Sequence, residues 1–184
     1  MPDTDRLEIT HAQLLVVDMQ ERMLRHVADQ ETVVNQTVRM IRAAQEMELP
    51  ITLTEQYPQG LGPTDQRVLT AAGAAERLGK QTFSVCGDPQ CKERLASLGR
   101  PQVLLVGVET HVCVRQTALD LLAARMQPVV LADAVGSRRP GDRQIALDGL
   151  RAAGVAVTTV EAAIFDLLVR SGTELFKRIL PIVR

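Results

Sequence analysis

Four apolar residues in succession, Val103 to Val106, run into Gly107-Val108-Glu109-Thr110-His111-Val112-Cys113-Val114. An unbroken apolar run of this length fits a strand buried on both faces of a parallel sheet, where polar alternation is not needed. Gly107 reads as its end. Two other runs look alike: Ala12 to Val17 stops at Asp18, and Pro128 to Ala132 stops at Asp133. Helical spacing fills the intervals. Val34, Val38, Ile41 and Ala44 fall within Glu31 to Glu48, Pro89 opens a segment to Leu98, His111 to Arg125 follows, and Gly154 closes Asp142 to Ala153. Shorter strands are predicted at Ile51 to Thr54, Thr82 to Val85 and Val155 to Thr159. Glu161 to Arg170 and Thr173 to Ile179 read as terminal helices, and residues 1–11 as a polar arm. This alternation predicts a three-layer α/β/α sandwich with a mostly parallel, Rossmann-like central sheet, one domain over residues 1–184.

Ligands of open α/β sheets bind beyond the carboxyl ends of the strands. Right-handed crossovers put the ends of the first and central strands side by side, which brings Asp18 near Cys113. Thr110 is a plausible N-cap, with Cys113 in the first turn of the helix it opens. An acid beside a thiol takes its proton and passes it to a leaving group. An ordinary thiol has a pKa of about 8.5. Lowering it by about 1.5 units needs roughly 2 kcal/mol of anion stabilisation, of which a helix N-terminus supplies about 1. A buried ammonium is the natural source of the rest. Lys80, in a loop leading to Thr82 to Val85, is the candidate, although most lysines are solvated surface charges.

The net charge of −1 and 2% aromatic content offer neither a basic surface nor stacking platforms, so nucleic acid is not an expected partner. No apolar run is long enough to span a bilayer, and the N-terminus lacks a signal pattern. Three cysteines form no disulfide framework. A cytoplasmic protein is expected. Cys86 and Cys91 have neither CxxC spacing nor a second ligand pair, and read as structural thiols.

Gly107 to Val114 resembles the active-site segment of the isochorismatase-like cysteine hydrolases. Leu15-Val16-Val17-Asp18-Met19-Gln20 is similar to that family's aspartate strand, and Lys80-Gln81-Thr82-Phe83-Ser84 to its lysine segment. Thr54 to Pro58 and Thr158 to Glu161 resemble the isochorismatase domain-containing subgroup. The resemblance implies an Asp-Lys-Cys triad of Asp18, Lys80 and Cys113 that cleaves a small amide or related C–N bond through a thioester, without a cofactor. It implies a cis peptide between Val108 and Glu109, which aims the Glu109 and Cys113 N–H groups at an oxyanion. It also implies homo-oligomers, and the apolar segment Leu175 to Val183 is suited either to an interface or to packing on its own domain.

Two departures refine this. Nicotinamidases of the superfamily carry a metal site with two histidines after the second strand. Here the histidines are His11, His26 and His111, so no metal is expected. Isochorismate-cleaving members lack the cysteine, so Cys113 favours acyl or amide chemistry over vinyl-ether cleavage. Gln20, Tyr57, Phe83 and Thr110 are candidates to line a pocket for a small molecule. Competing readings are an interaction protein that kept the fold and lost its substrate, a nicotinamidase-like amidase without the metal, and a redox role for Cys113.

Overall fold

The computed structural model describes residues 6–184. Six parallel strands make one sheet: β1 (Ala12–Val17), β2 (Ile51–Gln56), β3 (Glu76–Lys80), β4 (Gln102–Val108), β5 (Gln127–Gly136) and β6 (Ala156–Thr158). Their order is β3-β2-β1-β4-β5-β6. The winding direction reverses between β1 and β4, the crevice where open parallel sheets bind ligands.

Period-two alternation divides the core into two layers. Leu14, Val16, Leu104 and Val106 face one cluster with Val34 and Ile41 of α2 (Gln30–Glu46). That helix follows the short α1 (Glu21–Leu24). Leu15, Val17, Val103 and Leu105 face the other cluster, which holds Leu95, Leu121, Leu150, Cys91 and Cys113. These strands read as continuous apolar runs because both faces are covered.

Seven further helices complete the described residues. Two short ones, α3 (Pro58–Leu61) and α4 (Gln66–Ala72), occupy the connection between β2 and β3. Next come α5 (Pro89–Ser97), α6 (Arg115–Ala123), α7 (Pro140–Ala152), α8 (Val160–Leu168) and α9 (Glu174–Val183). Asp88 caps α5 by accepting from the Gln90 and Cys91 N–H groups. Asp133, expected to end a strand, instead lies within β5 and accepts from Val160 N at 2.8 Å, capping α8. The apolar tail forms α9 and packs on its own domain, with Ile179 buried and Arg178 bonded to Glu46 at 2.8 Å. The expected arm at residues 1–11 falls partly outside the described residues. Within them, Leu7 is buried and Gln102 fastens the backbone of Arg6 and Glu8.

Three expectations change. The third strand is Glu76–Lys80, and Thr82 to Val85 is instead a bend leading into a 3-10 turn at Val85–Gly87. The strand hid behind its charges. It lies at a sheet edge, where Glu76 and Arg77 are exposed while Leu78 and Lys80 are buried. Gly107 does not end β4 but sits within it, at φ +115°. It pairs with Val17, and a Cβ there would overlap the Val17 carbonyl. Only glycine lets β4 approach β1 so closely at their carboxyl ends. Finally, Thr110 is no N-cap. A π turn, Thr110–Val114, precedes α6, and the buried Thr110 Oγ1 has no hydrogen-bond partner.

Candidate active site

The crevice between β1 and β4 collects the residues singled out in the sequence. Asp18 follows β1 with φ +51° and is fully buried. Its Oδ1 accepts from Thr54 Oγ1 at 2.8 Å, and its Oδ2 accepts from Lys80 Nζ at 2.7 Å. The Lys80 side chain is also fully inaccessible. It reaches the site from the last position of β3, not from a loop. Besides Asp18, Lys80 Nζ donates to Gln56 Oε1 at 2.6 Å and to the carbonyls of Thr82 and Phe83, each at 3.1 Å. Three N–H bonds thus face four acceptors, as a buried ammonium requires.

Cys113 enters from the π turn beyond β4 and is 3% exposed. Asp18, Lys80 and the Glu109 backbone N–H all lie close enough to its thiol to act on its protonation. The Val108–Glu109 peptide is cis. The sequence predicts a thiol activated at rest, and the structure reverses that. Burial, then the Asp18 charge, push the thiol up to about 12, against smaller opposing effects of Lys80 and the Glu109 N–H. Cys86 and Cys91 are also raised, to about 11 and about 12, chiefly by burial.

A pH prediction follows. Below its pKa a thiol gains thiolate about tenfold per pH unit. Alkylation of Cys113 by iodoacetamide, followed by peptide mapping, is expected to keep accelerating from pH 7 to pH 10. A plateau by pH 8 would mean a thiolate already formed at rest.

The tentative pocket residues divide. Gln20 is buried and its amide is fully used: it donates to Gln56 O and Gly62 O and accepts from Gln56 N, at 3.0, 2.7 and 2.8 Å. It braces the loop after β2. Tyr57 and Phe83 are about half exposed, at 50% and 55%, on segments tied directly to Lys80. Thr110 is buried at the start of the π turn that carries Cys113. Two residues escaped the sequence reading, Thr54 and Gln56. Their signal was present: β2 is buried throughout yet carries Thr52, Thr54, Glu55 and Gln56. Polar residues in such a strand need buried partners.

Among the described residues, no group of three or more His, Cys, Asp or Glu side chains is placed to hold a metal ion. No helix there is long and apolar enough to cross a membrane. A cavity of about 660 Å³ opens elsewhere, between α5 and α6, around Leu95, Leu121 and Met126.

The isochorismatase domain model matches residues 12–162. Isochorismatase domain-containing protein 2 of Bos taurus is 41% identical over 174 residues, covering 93% of this chain and 82% of that protein. Isochorismatase family protein 1B of Dictyostelium discoideum is 36% identical over 177 residues, covering 93% and 85%. The solved structure of MAR1 ribonuclease from Caenorhabditis elegans superposes with a TM-score of 0.91 at 35% identity, covering 97% of this chain and 92% of that one.

Proposed function

The chain belongs to the isochorismatase family, and from that premise we propose a cofactor-independent cysteine hydrolase of small amides or related C–N bonds. One observation carries the reading: a fully buried carboxylate paired with a buried ammonium at 2.7 Å, its charge acting on a buried thiol from the neighbouring strand end.

Cys113 Sγ attacks the carbonyl carbon while its proton passes to Asp18. A thiol held protonated at rest suits this coupled transfer, because no isolated thiolate has to be maintained in a buried site. Lys80 balances the charge on Asp18 and orients it through the 2.7 Å bond. The carbonyl oxygen gains charge against the N–H groups of Glu109 and Cys113. Asp18 then gives its proton to the departing amine. Water attacks the thioester, Asp18 takes a proton from it, and the sulfur leaves to recover that proton. Tyr57 and Phe83 flank the mouth for the rest of the substrate, and Gln20 shapes it indirectly through the loop it braces. A reduced Cys113 is required, which favours a cytoplasmic setting. Homo-oligomers remain part of the proposal, by family resemblance.

The C. elegans relative is named a ribonuclease. Phosphodiester cleavage benefits from cations free to meet phosphate oxygens. Here the three N–H bonds of Lys80 are taken up by protein acceptors, so amide chemistry is the better fit. The test is a head-to-head panel of small primary amides and single-stranded RNA. Ammonia release from at least one amide, with intact RNA, is expected. Cleaved RNA with every amide untouched would overturn the proposal.

A further inference from the structure

We propose that Arg138 is a positioning residue that keeps the Glu109 peptide group aligned on the Cys113 sulfur. The proposal rests on the hydrolase reading, because it concerns the donor that meets the developing oxyanion.

Glu109 is 9% exposed, unusually deep for a carboxylate. Its side chain reaches the loop after β5. There the Arg138 backbone N–H donates to Oε2 at 3.0 Å. Arg138 Nε lies 3.0 Å from Oε1 and 3.2 Å from Oε2. The Glu109 carbonyl accepts from Val112 N and Val114 N, at 3.1 and 3.3 Å. Side chain and carbonyl are therefore both fixed, at the head of the turn that carries Cys113.

Sheet register explains why Arg138 reaches this place. Val108 pairs with Gly136, so Glu109 and Arg138 leave neighbouring strand ends one and two residues later. A second stitch runs parallel, His111 Nδ1 to Ser137 Oγ at 3.0 Å. The Ser137 carbonyl accepts from Ala28 N at 3.0 Å, which anchors the loop before α2. Asp142 stands 4.0 Å from the other His111 ring nitrogen. The nucleophile turn is thus laced to the end of β5 at two points. The Arg138 side chain is 62% exposed, so its ion pair adds little to stability. Alignment at a reacting centre is far more sensitive, since a misplacement of about 1 Å costs about 10²-fold in rate.

Two reagents separate positioning from general damage. p-Nitrophenyl acetate acylates a thiol by carbonyl attack: an S–C bond forms, an oxyanion develops, p-nitrophenolate leaves and Asp18 takes the proton. Iodoacetamide alkylates the same sulfur by displacing iodide and builds no oxyanion. In Arg138→Gln, acylation of Cys113 is expected to slow about tenfold or more while alkylation stays within about twofold. Glu109→Gln is expected to give the same selective loss, and the double variant to be no slower than the slower single. Equal loss toward both reagents, or no loss toward either, would overturn the proposal. A wild-type protein alkylated at Cys113 but never acylated there would overturn the hydrolase reading itself, and this inference with it.

Discussion

Replacing Cys113 with alanine is expected to lower amide turnover by about 10³-fold or more, because the covalent route disappears and only binding and oxyanion contacts remain. The fold is expected to survive. Cys113 sits in a layer of apolar side chains, and alanine removes one sulfur from it. A loss of about 1–2 kcal/mol is expected, inside the usual margin of about 5–15. Turnover by purified wild-type and Cys113→Ala protein, with circular dichroism to verify folding, checks both halves. A folded alanine variant with wild-type turnover would remove the thiol from the mechanism.

The second large effect falls on stability. Asp18 and Lys80 form an ion pair with no solvent exposure on either side chain, 2.7 Å apart. Removing one partner strands a charge in the interior, and such changes cost about 3–5 kcal/mol. Lys80→Met is expected to lose that much, with Asp18 left uncompensated beside Thr54 Oγ1. Neutralising both, Asp18→Asn with Lys80→Met, strands no charge. The double variant is expected to be more stable than Lys80→Met alone and equally inactive. Urea unfolding measures this directly: with a slope of about 2 kcal/mol/M the single variant shifts its midpoint by about 1.5–2.5 M. A midpoint within about 0.3 M of wild type would contradict a buried, paired lysine.

Much of this arrangement was legible in the residues. β1, β4 and β5 declare themselves because burial on both faces gives each an unbroken apolar run, and the ends of β1 and β4 lead to Asp18 and Cys113. β3 did not, because an edge strand that begins with exposed Glu76 and Arg77 looks like a solvated loop. Lys80 therefore reads as a loop residue in the sequence, although it ends that strand. The roles of Thr54 and Gln56 depend on β2 lying between β1 and β3, a pairing that one sequence does not state. The protonation of Cys113 depends on depth. Helix-end and lysine arguments predict a lowered pKa, but burial and the adjoining Asp18 outweigh both. The Glu109–Arg138 contact joins residues 29 apart through sheet register alone.

Everything proposed for the site turns on a covalent intermediate at one sulfur. The most direct measurement is to mix wild-type protein with a hydrolysed amide, quench in acid within the first turnovers and map the peptides by mass. One acyl group is expected on the Cys113 peptide, absent from the Cys86 and Cys91 peptides and lost on longer incubation. Turnover with no acyl group on Cys113 at any quench time would contradict that intermediate.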